Sequence, residues 1–169
     1  QRVSWSKRPV TMYADASLSD AEVNSLQEAM DIWNETFRAD FGGKDIFVFG
    51  GVLPTSVGRA LDAKNVVSVT TDWEGASDEQ AETFLHWDRT NIIDADVRIN
   101  GKKNLATTDV VARDQLDTVS LLVHELGHVL GLNHIFSQDY TVMAPTLSDG
   151  STERRKIGTQ DVYALKCEY

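Results

Sequence analysis

Little in this sequence could staple a fold together from outside its core. The 169 residues include one cysteine, Cys167, so no disulfide can close within the chain. There are only three prolines, with no Pro/Gly-rich linker, internal repeat or low-complexity tract. No apolar run approaches the roughly 18 residues of a spanning helix, which argues against an integral membrane protein. Bases are scarce: 16 Lys and Arg stand against 26 Asp and Glu, a formal charge of −10. Such a field repels phosphate backbones and anionic lipid, so neither nucleic acid nor a membrane surface is an expected partner. No signal peptide is recognisable, and the chain opens on Gln1, not Met. We therefore expect a mature, secreted or extracytoplasmic form whose targeting or pro-segments have been removed.

What is present reads as one globular domain. Hydrophobic residues at 41% and charged ones at 25% sit near the globular average, which excludes extensive disorder. A strand is expected at Val10 to Ala14. Ser19-Asp20-Ala21-Glu22 has the capping-box pattern, and Val23, Leu26, Met30, Trp33 and Phe37 then recur at helical spacing, ending at Gly42-Gly43. Short β-branched and aromatic runs at Ile46 to Phe49, Val66 to Thr70, Thr83 to Trp87 and Ile92 to Ile99 predict four more strands. In the last, Ile93, Ala95, Val97 and Ile99 alternate with Asp94, Asp96 and Arg98, so the charged set is expected to meet water. A helix is predicted from about Leu116 to Leu130, with Asp117 at its start and Gly131 past its end. Another follows Thr159, with Val162, Leu165 and Tyr169 on one side. The alternation implies an α/β layer arrangement with a mixed sheet.

Three of the four histidines fall within residues 124–134, which read His-Glu-Leu-Gly-His-Val-Leu-Gly-Leu-Asn-His. From this composition, His-Glu-x-x-His-x-x-Gly-x-x-His arises by chance in on the order of one in 10⁵ such chains. On a helix His124 and His128 project from one face, one turn apart, and can reach a single ion. Glu125 is rotated by about 100°, so it flanks that ion. Gly131 allows a backbone conformation that lets His134 return as third ligand. Three ligands leave a fourth position open, the arrangement of a catalytic zinc rather than a closed structural one. Two histidines and a glutamate on a helix this apolar would be costly to bury without a metal.

With Met143 nine residues further on, in Thr141-Val142-Met143-Ala144-Pro145, the chain resembles the catalytic domain of a metzincin zinc metalloprotease, nearest to the matrixin-like branch. The specific match covers residues 117–145. The resemblance implies a twisted, mostly parallel mixed sheet of about five strands with three main helices, an α/β (α+β) fold. Its cleft would lie between an upper subdomain of about residues 1–131 and a lower one of about 132–169. It also implies a structural Met-turn with Met143 beneath the histidines, and one catalytic zinc on His124, His128 and His134. Calcium is a further possibility through Asp94, Asp96, Asp109 and Asp114, although solvated carboxylates are the favoured reading of those four. Three positions depart from relatives. Ile135 stands where matrixins usually have Ser; no Tyr lies two after Met143; and His86 alone remains of the histidines that hold a second zinc in vertebrate matrixins.

The expected activity is endopeptidase cleavage of proteins or peptides by a zinc-activated water, with Glu125 as general base, in a monomeric enzyme. An extended substrate would add to a sheet edge at Thr83 to Trp87, touching Phe84 and His86, opposite a wall of Pro145, Thr146 and Leu147. A catalytically silent metzincin-like domain that binds a protein or peptide partner is the alternative. A purely structural zinc is a third reading, though it would call for four ligands.

Overall fold

The computed structural model of the chain describes residues 3–169. In chain order the elements are β1 (Val10–Ala14), α1 (Asp20–Asp40), β2 (Phe47–Val52), β3 (Asn65–Thr70), β4 (Ala81–Asp88), β5 (Asn91–Asn100), the two-residue strands β6 (Leu105–Ala106) and β7 (Leu116–Asp117), α2 (Thr118–Val129) and α3 (Thr159–Glu168). The five-stranded sheet runs β2-β1-β3-β5-β4; every pairing is parallel except β4 with β5. β4 is therefore an edge strand, with one row of backbone groups turned away from the sheet.

Local chemistry explains the two long helices. Ser19 caps α1: its hydroxyl accepts from Glu22 N at 3.3 Å while Glu22 returns to Ser19 N at 2.7 Å. The stripe from Val23 to Phe37 is buried against the sheet and against α2, where Trp33 Nε1–H donates to Val123 O at 2.9 Å. Asn34 is buried in the same face; its Oδ1 accepts from Ile46 N and Phe47 N at 2.9 and 2.8 Å, fixing where β2 begins. Asp117 caps α2, accepting from Ser120 N at 3.0 Å and from Arg155 Nε at 2.8 Å. Burial opposes ionisation of that carboxyl, but Arg155 and Ser120 outweigh it and hold its pKa below the usual carboxylate range. Eleven of the twelve α2 residues are buried, so this helix lies inside the molecule rather than on it.

The expectation for the faces of β5 fails in part. Asp94 and Asp96 do not meet water; they are 0% and 2% exposed. The segment 53–64 folds over that face of β5, and the carboxylates accept its backbone amides: Ala60 N on Asp96 at 2.9 Å and Ala63 N on Asp94 at 2.8 Å, with Val66 N of β3 adding a second bond to Asp96 at 3.0 Å. Asp15 grips the same segment through Ser56 Oγ and Val57 N, both at 2.7 Å. Ile93, expected inside, is 46% exposed. A polar residue on a strand faces either water or a covering loop, and alternation alone cannot distinguish the two.

Burial, with the charges of Asp94 and Asp62, raises Asp96 from 3.8 to about 6, against the pull of the two amides. The folded state thus holds a proton that the unfolded chain releases. Its contribution to stability is full below the unfolded value and is lost as pH rises through about 6. Urea unfolding of wild type and Asp96→Asn should show the wild type gaining on the variant by on the order of 2 kcal/mol between about pH 7 and about pH 4. A difference that does not vary with pH would contradict the assignment.

Candidate metal centre

The site forms where α2, the turn after it and the segment 141–147 converge below the edge strand. His124 and His128, one turn apart on α2, and His134, past the helix end, bring their imidazoles together. Nε2 of His124 lies 3.1 Å from Nε2 of His128 and 3.3 Å from Nε2 of His134. The other ring nitrogens of the first two are engaged: His124 Nδ1 lies 2.7 Å from Val142 O, and His128 Nδ1 lies 2.7 Å from Leu132 O. A carbonyl only accepts, so in these two rings Nδ1 carries the hydrogen and Nε2 turns a lone pair into the space between the three imidazoles.

Lone pairs so arranged repel unless a cation sits among them. Nitrogens about 2.0–2.1 Å from a tetrahedral zinc stand about 3.3–3.4 Å apart, close to the two spacings observed. Protonation states agree: burial and the neighbouring His128 push the His124 pKa from 6.5 down to about 3, and burial lowers His128 and His134 as well. The donor set fits a divalent ion of zinc type. Among the described residues no fourth His, Cys, Asp or Glu joins this group, and no second group of metal-binding geometry occurs.

Glu125 lies on the flank of the triad and is 4% exposed. Burial raises its pKa to about 7, with Glu82 adding to the rise and the Thr83 hydroxyl opposing it. That hydroxyl donates to Glu125 Oε2 at 2.6 Å. Thr83 escaped the sequence reading because strand parity was set the other way. On β4, Ala81, Thr83, Leu85 and, past a bulge, Trp87 line the cleft, together with Glu82 near its start. Phe84 and His86 lie outside the cleft lining, contrary to expectation. Phe84 is covered by the Arg59 guanidinium at 3.7 Å, and His86 Nδ1 is 3.2 Å from Asp94 Oδ2.

Met143 is fully buried and packs against Gly127 of α2. Gly127 makes room for it: a Cβ there would collide with the Met143 sulfur and crowd Trp33. The turn is held by Asp161, a residue to which only its place in the first turn of α3 could have drawn attention. Its carboxylate accepts from Thr141 Oγ1, from Val142 N at 3.0 Å and from Gly158 N at 2.8 Å. Because Val142 O holds His124, Asp161 acts on a histidine ring through one intervening residue.

The cleft above the triad has a volume of about 640 Å³ and is walled on its second side by Pro145, Thr146 and Leu147. Gln80 spans the two walls at one end, donating to Leu147 O at 3.1 Å. The four aspartates considered for calcium do not come together. Asp94 and Asp96 serve the segment 53–64, Asp109 pairs with Arg155 at 2.7 Å, and Asp114 accepts from Asn104 at 3.3 Å.

No helix of the described residues is long and apolar enough to cross a membrane. Comparison with curated proteins gives no match. Comparison with family models does: the matrixin model matches residues 4–169, nearly the full length, and the chain belongs to that family.

Proposed function

We propose that the chain is a zinc-dependent endopeptidase that hydrolyses peptide bonds in proteins, with Glu125 as general base and His124, His128 and His134 as the zinc ligands. The observation that carries the reading is the convergence of three imidazoles, with Nε2 of His124 at 3.1 Å from that of His128 and 3.3 Å from that of His134, beside a carboxyl. When bound, zinc supplies a Lewis acid that lowers the pKa of its water from about 15.7 toward about 7 and polarises a carbonyl.

The chain's own groups do the rest. Glu125 takes the proton of the attacking water and returns it to the leaving amine. A carboxyl whose pKa is lifted toward neutrality by burial suits both halves of that task, and Thr83 fixes which way it faces. The outward edge of β4 offers backbone groups to an extended peptide, as in strand addition, with Pro145, Thr146 and Leu147 opposite. Leu85 and Trp87 replace Phe84 and His86 as the expected side-chain contacts. The cleft would separate an upper part, about residues 1–131, from a lower part, about 132–169, as two subdomains of one catalytic domain. We place the activity outside the cytoplasm, where matrixins typically act.

Hydrolysis of a generic fluorogenic peptide or of casein tests this reading. Activity should vanish with a chelator and return with zinc. Zinc-loaded protein that binds peptides and cleaves none would favour the silent binding domain instead.

A further inference from the structure

The last four carbonyls of an α-helix have no partner inside it, and when buried they must find one elsewhere. At the end of α2 these belong to Gly127, His128, Val129 and Leu130. Two close locally. Leu132 N–H donates to Gly127 O at 3.0 Å and Gly131 N–H to His128 O at 2.8 Å, a Schellman turn that the φ of +90° at Gly131 permits. The other two are closed by residues near the two ends of the sequence. Trp5 Nε1–H donates to Val129 O at 2.8 Å, and the Tyr169 hydroxyl donates to Leu130 O at 3.0 Å.

The two donors are themselves anchored. Trp5 N–H reaches the Tyr169 oxygen at 3.4 Å, and the Tyr169 ring meets Phe37 edge-on at 5.6 Å. Ser4 joins Thr90 O and Ile92 N at 3.0 and 2.9 Å, and Val3 O fills the space a Cβ on Gly131 would need. Burial raises the Tyr169 pKa, so its hydroxyl keeps the proton it donates.

Two of the three histidines sit on the stretch these contacts hold. His128 precedes Val129 and its ring is oriented by Leu132 O, while His134 follows two residues later. We propose that Trp5 and Tyr169 are positioning residues for the metal centre: by satisfying the terminal carbonyls of α2 they hold the turn 129–132 in the geometry that brings His128 and His134 to His124. Neither touches a ligand; each acts through the backbone, as supporting groups around metal sites do. The inference rests on the zinc reading above.

Trp5→Phe and Tyr169→Phe each remove one donor and keep an apolar ring. Zinc affinity, measured by competition with a chelator, should fall about tenfold in each variant. Val67→Ala serves as the control, because it hollows the core at β3, whereas α2 packs chiefly on β4 and β5 of this sheet, and it lowers the Tm of the metal-free protein. Its zinc affinity should stay within about twofold of wild type, since distant sites act independently. Phe variants that bind zinc as tightly as wild type, or a control that loses as much, would overturn the proposal. Wild-type protein that binds no zinc at all would remove the metal reading first, and this inference with it.

Discussion

Glu125→Gln protein should bind one zinc per chain and cleave peptides about a thousand- to ten-thousandfold more slowly than wild type. Glutamine keeps the volume of the buried side chain and still accepts from Thr83, so the site keeps its shape. What it lacks is a group that can take a proton from water and give it to an amine. The same substitution should leave the metal-free protein no less stable, because burial already disfavours the charged carboxylate. Loss of kcat with zinc content preserved separates a proton carrier from a ligand. A Glu125→Gln enzyme that cleaves at the wild-type rate would remove Glu125 from the chemistry.

His128→Ala makes the complementary case. Removing one of three nitrogens should weaken zinc binding on the order of a thousandfold, a third of the free energy a three-ligand site commands, and activity should fall to background. The fold should survive. The helix is held by Leu121, Leu122, Leu126 and Val129, all of which stay buried, and by the Trp33 bond to Val123 O. Metal analysis after dialysis, beside a far-UV spectrum, measures both halves. Variant protein that keeps stoichiometric zinc would defeat the ligand assignment.

Much of this molecule could be read in one dimension because the relevant physics is local. The Ser19 capping box and the Asp117 cap each act within one helical turn, and the stripe from Val23 to Phe37 repeats every three or four residues, so spacing alone exposes them. The histidine pattern is equally local, spanning eleven positions. What stayed hidden depends on distant partners. Asp94 and Asp96 looked like a wet strand face until the segment 53–64 came to cover them. Thr83 differs from Phe84 only in which side of an edge strand it occupies, and one residue of register decides it. Asp161 beside the segment 141–143, and Trp5 and Tyr169 at the end of α2, make bonds across 19, 124 and 39 positions of sequence, which no local pattern encodes.

X-ray absorption at the zinc edge of the metal-loaded protein bears most directly on the whole account. The facing Nε2 atoms predict three imidazole nitrogens and one non-protein oxygen at about 2.0–2.1 Å. A shell with a fourth protein ligand, or a metal bound without the imidazoles, would contradict it.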